Sequence, residues 1–253
     1  MDKKKTNQQV PSTFQRWCIH ARLQHLGVFT SFIALGLTGL PIKFHYTGWA
    51  KALTGFFGGF DTMLNIHLIS ASVMLISCFY HVVWQIYRMF KGTATWYMIP
   101  TLKDITDLID HLKYQLKLSN KPAQFDRYSY KEKFDYLAVF WGMLAIGLTG
   151  VMMWMPEWAA AYIPRWVIDC ARIAHSDEAI LAVIVIVVWH LYNVHFNPDF
   201  FPMSKTWYDG QMDLATMKHE HPVELVKLYG PEVLGQPSHG TGVDGVKGQS
   251  LGS

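Results

Sequence analysis

Charged side chains are scarce in this sequence. They make up 16% of its 253 residues, against 51% hydrophobic, and the apolar residues arrive in long blocks. That balance excludes a soluble domain folded around a buried core and indicates a polytopic membrane protein. Cysteine is scarcer still, with Cys18, Cys78 and Cys170 scattered along the chain. The CxxCH motif of covalent haem attachment is absent, as is any cysteine cluster suited to zinc or iron–sulfur chemistry, so a prosthetic group must be held by histidine. Nucleotide loops, molybdenum-type motifs and metal boxes are missing too, which leaves the chain without a substrate-oxidising site of its own.

Four apolar stretches are long enough to span a bilayer as helices: about Leu26–Ile42, Thr62–Tyr87, Tyr136–Pro156 and Ala179–Pro198. Allowing a turn at their ends, the spans cover about 25–43, 62–87, 135–156 and 174–198 within a membrane domain of residues 22–200, between an N-terminal segment 1–21 and a tail 201–253. The expected fold is all-α, a polytopic four-helix bundle. The N-terminal KKK precedes the first apolar stretch by some twenty residues with no clear small-residue cleavage site, so an uncleaved first helix is expected. Lysine and arginine set the orientation. The N-terminus, the Arg88–Lys133 connection and the tail hold 18 of the 22 basic residues, leaving Lys43, Lys51, Arg165 and Arg172 on the other side. Both termini should therefore face the cytoplasm of a bacterial-type inner membrane. The net charge of +3 reflects this topology and does not indicate nucleic-acid binding.

Histidine supplies the chemistry. His175 and His190 lie fifteen residues apart in the last span, about 22 Å of helical rise and about 60° of net rotation, so they occupy opposite membrane depths on similar faces. His67 and His81 are fourteen apart in the second span, about 21 Å of rise with faces about 40° out of register. Antiparallel placement brings His67 level with His175 and His81 level with His190. Each level then offers two neutral imidazoles, the axial set of a bis-histidine haem. The alternatives are histidines satisfied inside a bundle, or a proton relay. His25, at the cytoplasmic edge of the first span, is also placed to reach a cofactor at the level of His190, whereas His20 belongs at the water interface.

ALGLTGLP (34–41) ends the first span and AIGLTGV (145–151) lies in the third, each followed by a histidine-bearing helix. Two related hairpins, Gln24–Tyr87 and Phe134–His195, fit this short repeat. Gly36, Gly39, Gly147 and Gly150 give a helix face open to a close neighbour or a porphyrin edge. The third span carries no histidine and is expected to be a spacer. His45–Phe60 and Glu157–Arg172 read as outer connections, with Trp158 and Trp166 at the interface. Residues 1–21 read as polar and then amphipathic, leading along the interface into the first span. Leu102–Leu118 has the pattern of an amphipathic helix on the membrane surface or a partner, with His111 solvated. Beyond Gly235 disorder is expected, and His219 and His221 flank Glu220 as a weak metal-like cluster.

With these residues laid out, the chain resembles the cytochrome b membrane subunits of formate dehydrogenase, nickel–iron hydrogenase and thiosulfate reductase. The resemblance spans roughly residues 16–200 and rests on Arg22-x-x-His25 opening the first span, GLTG at its end, His67 opening the second, and HSDEAILAVIVIVVWHLYNVH (175–195). The tail resembles the branch found beside multihaem c-type cytochromes. The resemblance implies two b haems stacked across the membrane, an outer one on His67 and His175 and an inner one on His25 and His190, with a quinone site near the inner one. His81 departs from that pattern. It replaces His25, joins His195 or His20 in holding a third haem, or hydrogen-bonds a propionate or quinone. The implied role is electron exchange between the quinone pool and an extracytoplasmic iron–sulfur or multihaem c-type subunit of a respiratory oxidoreductase. Arg88, Lys91, Asp126, Arg127 and Tyr128 are candidates for proton handling at the cytoplasmic face. The rival functions are a proton-coupled transporter and a passive membrane anchor.

Overall fold

The computed structural model describes residues 10–198 and 201–235. The chain divides into two compact units, the larger built from Trp17–Ile99 and Lys131–Tyr208, the smaller from the chain up to Arg16, Pro100–Tyr130 and the chain from Asp209 onward.

The larger unit contains four helices long and apolar enough to cross a membrane: α1 (Ile19–Lys43), α3 (Phe60–Phe90), α5 (Tyr130–Trp154) and the last span, Arg165–Phe196. They begin earlier in the chain than the apolar stretches alone indicate, since helices continue into the interface. Between α1 and α3 lies the short α2 (Gly48–Phe56). Gly58 and Gly59, with φ of +84° and +104°, make the reversal into α3, a conformation that a residue with a Cβ adopts only at a cost. Asp61 in the first turn of α3 and Arg88 in its last match the helix dipole. After α5, Pro156 opens the short α6 (Pro156–Tyr162), where its missing N–H is harmless.

α1 and α3 are extensively packed as a hairpin. Small residues allow it: Ser31, Thr38 and Ser70 are buried along the pair, and the Ser31 and Thr38 hydroxyls donate to Gly27 O at 2.6 Å and Ala34 O at 2.7 Å within their own helix. The outward surfaces are the reverse of a soluble protein's. Ile69, Ile76, Phe79, Trp141, Leu148, Leu181 and Val188 are exposed, which hydrocarbon satisfies and water does not.

The last span changes character along its length. It is α-helical as α7 (Arg165–Ile184) and then π-helical over Val185–His190 and Tyr192–Phe196. A π-helix closes its hydrogen bonds over five residues, not four, so His190 is carried away from the azimuth a straight α-helix gives it.

The smaller unit has its own core. β1 (Thr13–Gln15) pairs antiparallel with β2 (Gln211–Asp213), with Phe14 opposite Met212. Phe14 packs with Leu214, Met217, Leu225 and Val233 from α9 (Leu214–Glu220), α10 (Pro222–Tyr229) and the 3₁₀ turn after them. The short α8 (Thr206–Asp209) leads into β2. α4 (Leu102–Gln115) is the amphipathic helix expected in the long connection, opened by a Thr101–Asp104 capping box. The expectation of a solvated His111 is corrected: its half-buried ring stacks on Phe125 at 6.3 Å and meets Tyr130 edge-on. The N-terminal segment was expected to be polar and then amphipathic; within it Thr13–Gln15 is a strand, and the chain from Asp209 to Gly235 folds with it. The expected disorder beyond Gly235 lies outside the described residues.

Buried charge ties the smaller unit together. Arg16 and Glu224 form an ion pair in which both residues are under 10% exposed. The second oxygen of Glu224 accepts from Arg127 Nη1 at 2.6 Å, and Arg16 also donates to Arg127 O. His221 donates from Nδ1 to Asp126 O at 2.7 Å, and Lys227 pairs with Asp126. Burial disfavours the Arg127 charge, yet the Glu224 bond and Tyr128 outweigh it and hold its pKa above the usual value.

Candidate functional site

Two histidine pairs form in the larger unit, one at each end. At the first, His67 of α3 stands against the end of α1. Thr38 Oγ1 lies 2.9 Å from His67 Nδ1 and donates its own proton to Ala34 O at 2.7 Å. The hydroxyl can then only accept, so His67 carries its proton on Nδ1 and leaves the Nε2 lone pair free. Gly39, the next residue, makes room: a Cβ there would stand 3.0 Å from His67 Cε1.

α5 repeats the device for His175. Thr149 Oγ1 donates to Ala145 O at 2.6 Å and lies 3.2 Å from His175 Nδ1, which also donates to Ile146 O at 3.0 Å. A Cβ on Gly150 would stand 3.1 Å from His175 Cε1. The two GLTG segments therefore do the same work: threonine sets the tautomer and the following glycine admits the ring. His67 lies within electrostatic reach of His175. Lys43 bonds Ser176 Oγ at 2.7 Å and Asp177 at 2.5 Å, fastening the end of α1 beside His175.

At the other end the rings of His25 and His190 lie 6.4 Å apart, centre to centre, with planes inclined at 41°. His190 Nδ1 donates to Asp135 Oδ2 at 3.0 Å, which again frees Nε2. Trp17 and Trp207 flank His25 at 5.2 and 6.0 Å, and Phe29 lies beyond them. Buried polar atoms without a hydrogen-bond partner gather in the residues of this end: Arg22 Nε, Gln24 Nε2, His25 Nδ1, Asp135 Oδ1, Trp189 Nε1, His195 Nδ1 and Trp207 Nε1, among the described residues. Native structures rarely leave such groups unpaired, and a polar ligand is one ordinary explanation.

The pairing of His81 with His190 expected from helix spacing does not form; His25 takes that place. His81 Nδ1 donates to Gln24 Oε1 at 2.9 Å, and its Nε2 accepts from Tyr136 Oη at 3.0 Å. Both nitrogens are thus engaged within the protein, Nδ1 as donor and Nε2 as acceptor. The fourteen-residue spacing turns His81 off the His67 face, toward α1 and α5. His20 bonds Tyr80 Oη at 2.6 Å and stacks on Trp84 at 3.8 Å. His195, half-buried, is within electrostatic reach of His190 and His25. His45 is exposed at the end of α1.

The third span is not a spacer. It supplies Asp135 to His190, Tyr136 to His81 and Thr149 to His175. None of the three was singled out in the sequence. Asp135 was accessible as the last charged residue before the apolar run of this helix, where ionisable groups are rare.

The candidates for proton handling divide between the units. Arg88 donates to Thr93 O at 2.7 Å and Lys91 lies over the Tyr87 ring in the larger one. Asp126, Arg127 and Tyr128 are engaged in the smaller one by Lys227, Glu224 and the Arg16 and Arg127 guanidinium groups. The weak His219–Glu220–His221 cluster is dispersed: His219 bonds Glu220, while His221 is buried against Asp126 O. Among the described residues no three His, Cys, Asp or Glu side chains converge as a metal set.

Comparison with curated proteins gives no significant match. Residues 16–201 match the family described as prokaryotic cytochrome b561, and that range takes in α1, both histidine pairs and all four spans. With most of its length in the match, the chain belongs to the prokaryotic cytochrome b561 family.

Proposed function

We propose that this multi-pass membrane cytochrome b carries electrons across the bilayer between the quinone pool and an extracytoplasmic redox partner, through one b haem on His67 and His175 and a second on His25 and His190. The observation that supports it most is the facing of His25 and His190. Two metal–imidazole bonds of about 2 Å, plus roughly 1 Å from each nitrogen to its ring centre, require about 6 Å between rings, and the rings stand 6.4 Å apart. The donor set also fits. Three of the four imidazoles have Nδ1 committed to an oxygen, which presents Nε2 as the ligand.

A b haem held in this way supplies a one-electron couple. The four imidazoles would hold such haems, and the exposed apolar faces of the spans would keep the route in hydrocarbon, away from water. Arg22 Nε and Trp207 Nε1, donors without partners at the His25 end, are suited to carboxylate groups such as haem propionates. On this reading His81 is a structural neighbour bonded to Gln24 and Tyr136, and a third haem has no place on it. Quinone exchange belongs at the His25–His190 end, which the bias of basic residues puts toward the cytoplasm. Oxidation or reduction of the terminal substrate belongs to another subunit, an iron–sulfur or multihaem c-type protein on the outer side.

A reduced-minus-oxidised spectrum with haem extracted and counted per chain tests the reading. Two b haems are expected, with one lost in His25→Ala or His190→Ala and the other in His67→Ala or His175→Ala. A purified, folded protein without haem would overturn it and favour a transporter or a passive anchor.

A further inference from the structure

The two histidine pairs are bound differently behind the ring. At the His67–His175 level every Nδ1 partner is a neutral oxygen: Thr38 Oγ1, Thr149 Oγ1 and Ile146 O. At the other level the His190 partner is a carboxylate, Asp135 Oδ2 at 3.0 Å. Asp135 is 19% exposed at its side chain and His190 26%, so the bond is largely screened from water. The other oxygen, Oδ1, is buried with no protein partner, leaving Asp135 no competing protein donor of its own.

We propose that Asp135 is a positioning residue for the haem on His190, fixing that imidazole's tautomer and direction and lowering the haem's midpoint potential below what a neutral hydrogen bond would set. This rests on the ligand reading given above. A carboxylate behind the imidazole draws its Nδ1 proton and makes Nε2 a stronger donor to iron. More donation, together with a negative charge nearby, stabilises the ferric state over the ferrous one, and the potential falls. The geometry that carries this comes from two helices. Asp135 lies near the start of α5, and His190 is brought round to it by the π-helical turns of the last span. Its neighbour Tyr136 bonds His81 of α3, so adjacent residues of α5 anchor two different spans and hold the carboxylate in register.

The test is redox potentiometry of the purified protein carrying Asp135→Asn and Asp135→Glu, with extracted haem counted in each. Asp135→Asn is expected to keep both haems and to shift upward the midpoint of the haem that His25→Ala removes, without moving the other; Asp135→Glu is expected to restore the lower value. If Asp135→Asn loses that haem, Asp135→Glu decides. Retention with an unshifted midpoint supports the proposal, and loss in both variants assigns Asp135 to folding alone and overturns it. Unchanged midpoints in Asp135→Asn with both haems present would also overturn it. Failure of the ligand reading is seen separately, as two haems persisting in both His25→Ala and His190→Ala, and it would remove this inference as well.

Discussion

Thr38 stands to His67 as a hydrogen-bond acceptor whose own proton is already spent on Ala34 O, and that relationship decides which imidazole nitrogen is free. Valine at Thr38 has almost the same shape and no hydroxyl. Thr38→Val should weaken haem retention at this level about 10- to 100-fold, the usual cost of losing a ligand's supporting bond. Thr149→Val should cost less, because Ile146 O remains for His175 Nδ1. Haem loss rates measured for each protein check the order.

Glycine at 39 and 150 is a steric requirement. A methyl group would stand 3.0 Å from His67 Cε1 in Gly39→Ala and 3.1 Å from His175 Cε1 in Gly150→Ala, tighter than side chains normally tolerate. Each substitution should displace its ring and reduce the outer haem while leaving the inner one at full occupancy. A haem count near one per chain, with an undisturbed inner-haem spectrum, is the expected outcome; two haems with normal spectra would show that the rings can move aside.

His81→Phe should leave the haem count at two. The substitution strands Gln24 Oε1 and Tyr136 Oη, so some loss of thermal stability, on the order of 1–3 kcal/mol, accompanies it. A halved haem content would instead restore His81 to the ligand set.

The Arg16–Glu224 pair predicts a stability effect confined to the smaller unit. Glu224→Ala leaves Arg16 and Arg127 facing one another without the carboxylate, and Arg16 is only 7% exposed. Breaking one side of a buried pair costs about 3–5 kcal/mol. Faster proteolytic clipping between 209 and 235, with haem spectra unchanged, is expected. Replacing Arg16 and Glu224 together by apolar residues should recover part of the loss.

Native cysteines report orientation. Cys18 and Cys170 are both exposed, one just before α1 and the other in the first turns of α7. If the basic-residue bias sets both termini in the cytoplasm, a membrane-impermeant maleimide added to spheroplasts should label Cys170 and spare Cys18 until the membrane is opened. The reverse pattern would invert the topology.

Much of the bundle was legible before any coordinates because hydrocarbon leaves few options. A backbone in lipid must satisfy itself, so an apolar run of sufficient length is a helix. The four spans, the amphipathic α4 and the level placing of His67 with His175 follow from composition and spacing, whereas spacing set His81 beside His190 and only the family resemblance pointed to His25. The β1–β2 pairing was not legible, since three residues near Phe14 find their partner almost two hundred positions later. The surroundings of His81 were not legible for a related reason: its depth follows from helical rise, but its partners Gln24 and Tyr136 come from two other helices.

By itself, then, the sequence determined that the chain crosses the membrane four times, with its basic residues gathered toward one side and histidines at two depths, because hydropathy, charge and helical rise act along one helix at a time. Tertiary structure alone decided which histidines face each other, which tautomer each adopts, and that Asp135 stands behind His190. Those depend on the rotation of one helix against another, and in the last span on π-helical turns, which no residue spacing within a single helix encodes.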